Sequence, residues 1–208
     1  MAWVIKEQSN WYLTKAEMQN NANYVIEYMQ RNGWSNNAIA ALLGNLQKES
    51  HINPGCWQSG KVGVEKLGFG LCQWTPSTKY TSWASKNGYS RTNPTAQLYW
   101  INSVMINSGE WIPTSQYNLQ YNDFKTSLKS VSYLTAAWCY EFERPGKPAL
   151  ADRQAYASEW YHYITGGYAP PSDPGEVEPS DPTPTPTPPP KPWTGGDTKL
   201  MFLCLRRF

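Results

Sequence analysis

The chain has 208 residues, and its 18 Lys and Arg residues nearly balance its 16 Asp and Glu residues, giving a formal net charge of +2. This balance excludes the dense basic stripe with which proteins neutralise nucleic-acid phosphates, so we predict no nucleic-acid partner. The longest apolar runs, such as residues 38–43, are too short to span a bilayer, and the first residues lack the basic and apolar regions of a signal peptide. We therefore expect neither membrane insertion nor a secretory signal.

Two helices are predicted at the start of the chain. Thr14 and Glu17 have capping-box spacing, and the apolar stripe that follows them ends at Asn32-Gly33. Ser35 is the candidate N-cap of the second helix, which ends before residues 53–55. The apolar stripe of this second helix consists of Ile39, Leu42, Leu43 and Leu46.

The next segment, residues 55–74, contains five glycines and no helical period, which predicts a small irregular β region or hairpin. Helical patterns then return, and two of them open on a cap followed by proline, Thr75-Pro76 and Asn93-Pro94. The later helices are predicted at residues 75–88, 93–108, 130–144 and 151–165. The predicted fold class is α+β, mainly α.

Proline usage divides the chain into three parts. Six prolines occur in residues 1–169 and eleven in the rest, which predicts a catalytic domain over residues 1–169. Residues 170–192 are a Pro/Thr-rich extended linker that cannot form a packed core. Residues 193–208 are a short apolar stub, which is too short for a domain. A truncated second module, a docking strand and an out-of-frame end are all open as its interpretation.

Cysteines and aromatic residues complete the composition. The four cysteines show no zinc-binding spacing, so we predict no metal site. They are typical of reduced, packed side chains, and a Cys56–Cys72 disulfide bridge is left open.

The 11 Trp and 14 Tyr residues exceed what a core of this size needs. Such side chains stack on sugar rings, bases or partner proteins.

Glu49 is the informative residue of the second helix. It lies three residues beyond Leu46 and continues the apolar stripe that this helix should bury. Burial and the negative end of the helix dipole both disfavour a carboxylate anion there, which predicts an acid that retains its proton. A general acid needs such a proton to donate to the leaving oxygen of a glycosidic bond. From position alone, the alternative is that Glu49 turns to solvent at the helix end.

Three motifs surround Glu49 in order: residues 44–50 (Gly-Asn-Leu-Gln-Lys-Glu-Ser), 53–55 (Asn-Pro-Gly) and 68–76 (Gly-Phe-Gly-Leu-Cys-Gln-Trp-Thr-Pro). Together they resemble the phage tail lysozyme family, the cell-wall-cleaving domains at the tips of phage tails. The Glu-Ser pair with a downstream Gly-x-Gly-Leu-x-Gln is also similar to goose-type lysozymes and lytic transglycosylases. The resemblance extends over most of residues 10–165.

The resemblance implies a lysozyme-like fold in which the β region forms one wall of the substrate cleft and Glu49 is the general acid. Ser50 is then expected to orient that acid or the sugar, and two glycines to let the backbone approach the glycan closely. A glutamine amide would bind N-acetyl groups, and an indole would stack on a sugar ring. The substrate-binding residues implied in this way are Ser50, Gly68, Gly70, Gln73 and Trp74.

Two further carboxylates are candidate helpers. Glu65 is the nearest in sequence, within the glycine-rich segment, but matches no motif position. Glu143 lies in a motif shared with the family, and its alternative is a structural ion pair or a helix-terminal charge. Glu141 and Asp152 are expected to be solvated. The superfamily includes enzymes that work with one dominant acid, so we predict hydrolysis led by Glu49 and leave lytic transglycosylation, with its anhydro-muramic products, open.

The predicted function is that of an N-acetylmuramidase, which cleaves the β-1,4 bond between N-acetylmuramic acid and N-acetylglucosamine in peptidoglycan. The resemblance implies a virion location in a phage tail, with wall glycan and phage tail proteins as partners and no cofactor; an endolysin is the less favoured setting. Two other classes stay open. A peptidase or amidase would use Cys72 with His51 or His162, and a glycan-binding module would use the aromatic residues without catalysis.

Overall fold

The computed structural model describes residues 2–7 and 12–166 and shows a mainly helical chain. In that part of the chain the α-helices are α1 (Lys15–Arg31), α2 (Asn36–Ser50), α3 (Thr78–Lys86), α4 (Pro94–Tyr99), α5 (Met105–Ser108), α6 (Tyr121–Thr126), α7 (Val131–Trp138) and α8 (Leu150–Thr165). A 3₁₀ turn spans Gln58–Gly60, and two π-helical turns span Trp100–Val104 and Cys139–Glu143. The π-helical turns continue α4 into α5 and extend α7, so the predicted helices at residues 93–108 and 130–144 are confirmed.

Side chains cap the first helices as predicted. Thr14 and Glu17 form the complete capping box of α1, with each side chain bonded to the backbone N–H of the other. Ser35 and Asn93 each accept the backbone N–H three residues further on, at 3.1 and 3.0 Å. These bonds satisfy N–H groups that a helix leaves without an internal partner, and they fix where α1, α2 and α4 begin.

The predicted cap at Thr75 is wrong, because α3 begins at Thr78. The hydroxyl of Thr75 donates to the carbonyl of Gln73 at 2.9 Å instead of accepting from a helix N–H. The backbone N–H of Ser77 donates to the carbonyls of Glu65 and Leu67, at 2.8 and 3.0 Å. The chain before α3 is therefore held by the preceding loop and not by helix hydrogen bonds.

The predicted β region is reduced to two isolated bridges, Trp57–Phe69 and Phe69–Trp74, and no strand occurs in the described residues between 55 and 74. Extended backbone is interrupted repeatedly here, because several residues adopt the left-handed conformation, which cannot continue a strand. The residues with positive φ in this segment are Ser59, Gly60, Gly63, Gly70 and Gln73.

The core forms around α2, which packs mainly against α8 and α7. Much of the aromatic content lies in this core. The ring centroid of Trp138 lies 6.5 Å from that of Trp34 and 5.7 Å from that of Trp111. Tyr121 and Phe124 pack against all three of these rings. Edge-to-face and tilted arrangements of this kind are favourable for aromatic rings. The tryptophan content therefore serves packing first.

The predicted linker at residues 170–192 and the stub at 193–208 lie outside the described residues. The structure describes nearly all of the predicted catalytic domain, residues 1–169. None of the described helices combines the length and the apolar character that a membrane span requires.

Candidate active site

A pocket of about 500 Å³ lies beside the C-terminal end of α2. Its walls come from the loop after α2, from the start of α3 and from the π-helical turn after α7. Five residues singled out in the sequence line it together: Glu49, Cys72, Gln73, Trp74 and Glu143. Residues almost a hundred positions apart in the chain therefore meet in one cavity.

Glu49 lies in the last turn of α2, one residue before the buried Ser50. His51 ends the helix in the left-handed conformation, with φ of 53°. The Glu49 side chain is 19% exposed, so it reaches the pocket while most of its surface is enclosed. The carboxylate does not turn away into bulk solvent.

Arg153, on α8, is the ion-pair partner of Glu49 and was missed by the sequence analysis. Its side chain is 3% exposed, and its three nitrogens bind three different acceptors. Nη2 pairs with Glu49 Oε1, Nη1 donates to Asn45 Oδ1 at 3.0 Å, and Nε donates to the carbonyl of Pro148 at 2.8 Å. The sequence signal was its spacing, because Arg153, Ala157 and Trp160 share the buried face of α8.

Glu143 ends the π-helical turn and lines the same pocket. The indole Nε1 of Trp138 donates to its Oε1 at 2.9 Å. Burial raises the pKa of the Glu143 carboxyl well above its usual range, and the negative charge of Glu49 raises it further; Arg153 acts in the opposite direction. Glu143 is therefore a pocket carboxyl whose protonated form is favoured by its surroundings.

Gln73 and Trp74 line the pocket but are tied into its wall. The amide nitrogen of Gln73 donates to the carbonyls of Cys56 and Gly70, at 3.1 and 3.0 Å, so a sugar N-acetyl group would compete with those bonds. Trp74 is 2% exposed and stacks on Tyr80, with ring centroids 4.5 Å apart. At this exposure its indole has no open ring face on which a sugar could stack.

Ser50, Gly68 and Gly70 stabilise the loop and do not line the pocket. The buried hydroxyl of Ser50 lies 3.1 and 2.8 Å from the carbonyls of Leu46 and Leu71, which ties the end of α2 to the loop. Gly70 has a φ of +79°, and a Cβ there would lie 2.8 Å from Gln97 Oε1. A Cβ on Gly68 would meet the wall of the same loop at 3.0 Å.

Glu65 lies elsewhere. It lines a separate polar cavity of about 750 Å³, together with Glu7, Arg91 and the exposed face of α3. The structure does not bring it into the pocket that holds Glu49. Of the two candidate helpers, only Glu143 shares the cavity with Glu49.

Cys72 also lines the Glu49 pocket, but no histidine does so among the described residues. His51 packs edge-on against Tyr12, and His162 lines a different groove beside α1. Burial raises the pKa of the Cys72 thiol well above its usual range, as do the charges of Glu143 and Glu49. Cys56, Cys72 and Cys139 are all free thiols, so the open question of a Cys56–Cys72 bridge is answered in the negative.

The expectation that Glu141 is solvated is wrong. It is fully buried, and its Oε1 accepts the backbone N–H of Thr114 at 2.8 Å and lies 3.4 Å from that of Leu119. Burial raises the pKa of this carboxyl, although those hydrogen bonds act against the shift. Glu141 thus anchors the loop that follows α5, whereas Asp152 is exposed as expected and pairs with Lys48 at 2.7 Å.

The pocket mouth carries a second ion pair. Lys79 Nζ, on α3, lies 2.8 Å from Glu110 Oε2, in the segment after α5, and both residues line the pocket.

Among the described residues, no group of three or more His, Cys, Asp and Glu side chains is arranged to hold a metal ion.

A carboxyl pair beside a helix end, in a mainly helical domain, is compatible with a lysozyme-like enzyme, and comparison with known proteins gives the family. Residues 20–164 match the family model of phage tail lysozymes, so the chain belongs to that family. It is similar to morphogenesis protein 1 of Bacillus phage B103, with 41% identity over 157 residues. The match covers 76% of this chain and 42% of that protein, so the chain spans less than half the length of this relative.

Proposed function

We propose that this chain is a peptidoglycan glycosidase, an N-acetylmuramidase that cleaves the β-1,4 bond between N-acetylmuramic acid and N-acetylglucosamine. The observation that supports it best is the placing of two carboxyls, Glu49 and Glu143, in one pocket with a buried arginine behind them. Glycoside hydrolysis requires one carboxyl that is protonated and another group that stabilises charge or activates water. The family assignment agrees with this chemistry.

Glu49 is the proposed general acid. Arg153 holds its Oε1, which leaves Oε2 to carry the proton towards the sugar. Glu143 lines the same pocket, where burial and the negative charge of Glu49 raise the pKa of its carboxyl.

The proposed bond cleavage is balanced by one water molecule. Glu49 donates its proton to the leaving oxygen of N-acetylglucosamine as the bond to the anomeric carbon of N-acetylmuramic acid breaks. Water then adds to that carbon, and its proton returns to the carboxyl pair. The negative charge that Glu49 acquires stabilises the positive charge that develops on the sugar ring.

The proposed setting is a phage tail, where local digestion of the wall would open a path for the genome. The family and the phage morphogenesis relative support this setting. The Pro/Thr-rich residues 170–192 would then space the catalytic domain from its anchor, because chains of this composition are extended. Mass spectrometry and immunolabelling of purified virions test this location.

Product analysis tests the activity. The purified chain is incubated with insoluble peptidoglycan, and we expect soluble fragments with reducing N-acetylmuramic acid ends. Anhydro-muramic ends would instead establish a lytic transglycosylase, new amino termini a peptidase or amidase, and retention without release a binding module. Glu49→Gln keeps the shape of the side chain but removes the donor, so we expect a loss of at least about 100-fold. Glu159→Gln, on the exposed side of α8, is the matched control and should retain wild-type activity.

A further inference from the structure

We propose that Arg153 is the positioning residue of this site: its buried guanidinium fixes the Glu49 carboxylate in place at the end of α2 and supplies a positive charge behind the two pocket carboxyls, Glu49 and Glu143. The proposal rests on the proposed glycosidase function. It concerns a residue that lies behind the pocket and does not line it, so Arg153 acts through the two carboxyls and not on the substrate.

The backbone sets the position of Arg153. Asn45 and Glu49 lie one turn apart on α2, and Arg153 and Ala157 lie one turn apart on the facing side of α8. A Cβ added to Gly44 would lie 2.6 Å from both the Cβ of Ala157 and the backbone oxygen of Arg153. The two helices therefore approach as closely as a glycine permits, and this brings the guanidinium under the end of α2.

The guanidinium is held at all three nitrogens. Asn45 and the carbonyl of Pro148 accept two of its N–H groups, and Glu49 accepts a third. Asn45 is itself fixed, since its amide nitrogen donates to the carbonyls of Ala41 and Thr135 at 2.9 and 3.2 Å. A planar fork with several donors is required for this arrangement, and a lysine ammonium on its flexible chain cannot reproduce it.

The charges around Arg153 explain how its guanidinium is tolerated in a buried position. A lone guanidinium without counter-charges would be very unfavourable here, and two ionised carboxylates beside one cation would leave a net negative charge. Glu49 supplies the counter-charge to Arg153, and the raised pKa of the Glu143 carboxyl works against a second negative charge beside this pair. Several titratable and charged groups face this cluster from the elements packed around it: Glu49 and Lys48 on α2, Cys72 in the loop, Cys139, Glu143 and Arg144 at the π-helical turn, and Asp152 on α8.

The test compares Arg153→Met with Arg153→Lys in the full chain, on peptidoglycan and in NMR titrations of ¹³C-labelled glutamate. In Arg153→Met, both limbs of the pH profile of kcat/KM should move to higher pH by about 1 unit or more, and the Glu143 titration should move in the same direction. Arg153→Lys keeps the charge but not the fork, so its pH limbs should stay within about 0.5 unit while kcat falls about tenfold.

A fall in activity that is the same at every pH, with an unmoved Glu143 titration, would mean that Arg153 is merely structural and would overturn the proposal. If Arg153→Met does not fold, Arg153→Lys supplies the second measurement: a wild-type kcat in that variant would show that the guanidinium fork is not needed and would overturn the proposal. If the wild-type chain leaves glycan uncut, the proposed function fails, and the NMR titrations still decide whether Arg153 controls the carboxyl pair.

Discussion

Gly44 on α2 faces Ala157 on α8 with no room for a side chain: a Cβ at position 44 would lie 2.6 Å from the Cβ of Ala157 and 2.7 Å from its backbone nitrogen. Real side chains do not approach so closely, and the neighbouring atoms include backbone that cannot rotate away. The contact lies one turn before Glu49 on α2 and one turn after Arg153 on α8. The ion pair of the candidate active site thus depends on a helix contact that does not itself touch the pocket.

The first prediction concerns this contact. Gly44→Ala should lower the free energy of unfolding by about 1–3 kcal/mol, the usual effect of overpacking a core, although alanine favours helix in isolation. Urea unfolding monitored by circular dichroism measures the change. Gly146→Ala is the control, because a Cβ there meets nothing within 4 Å, and it should change stability by less than about 0.5 kcal/mol. Equal stability of the two variants would contradict the close approach.

The second prediction separates the two candidate helper carboxylates. Glu143→Gln should lower kcat/KM on peptidoglycan by about 100-fold, because Glu143 shares the pocket with Glu49 and is the second carboxyl that glycoside hydrolysis can use. Glu65→Gln should stay within about twofold of wild type, since Glu65 lines another cavity. The reverse order of these two effects would show that the described pocket is not where glycan is cut.

Much of the fold was predictable because its signals are local. The capping box at Thr14, the Ser35 cap and the apolar stripe of α2 each depend on residues within a few positions of one another, and the structure confirms them. The β region was overestimated because a high glycine content is typical of irregular backbone as well as of hairpins. Residues 55–74 form irregular backbone with two isolated bridges. The start of α3 was misjudged because a tertiary hydrogen bond, from Ser77 to Glu65, decides it.

The site was predictable only in part, for a similar reason. Glu49 was found from a single helix face, whereas Arg153 joins it from 104 residues away through helix packing that no local pattern reveals. Glu141 and Glu143 look alike in sequence, yet the π-helical turn buries the first against a loop and presents the second to the pocket. The packing of elements that are distant in the chain is the part of the site that could not be predicted from the sequence.

The third prediction is a pH dependence of stability. Since the pKa of Glu143 is raised in the folded chain, the folded state binds its proton more tightly than the unfolded state, where the pKa is near 4.5. The stabilising contribution is complete below about pH 4.5 and is lost as pH rises towards the folded-state pKa, with a slope of up to about 1.4 kcal/mol per pH unit. Glu143→Gln cannot titrate but retains an acceptor for Trp138.

Urea midpoints of the wild type and of Glu143→Gln between pH 4 and pH 8 measure this effect. The wild type should be more stable relative to the variant at the acidic end and lose that advantage as pH rises. A constant difference across the range would mean that Glu143 ionises as freely in the folded chain as in the unfolded chain.

The last prediction concerns the thiol in the pocket. Burial raises the pKa of Cys72 well above its usual range, so the thiolate that a cysteine peptidase requires is not formed near neutral pH. Cys72→Ala should therefore retain at least about half of the wild-type rate of glycan release, and iodoacetamide should label the folded chain slowly at this position. Loss of activity comparable with that of Glu49→Gln, in a variant whose unfolding midpoint is unchanged, would favour thiol chemistry. Rapid alkylation at pH 7 would support the same conclusion independently, because only an ionised thiol reacts quickly.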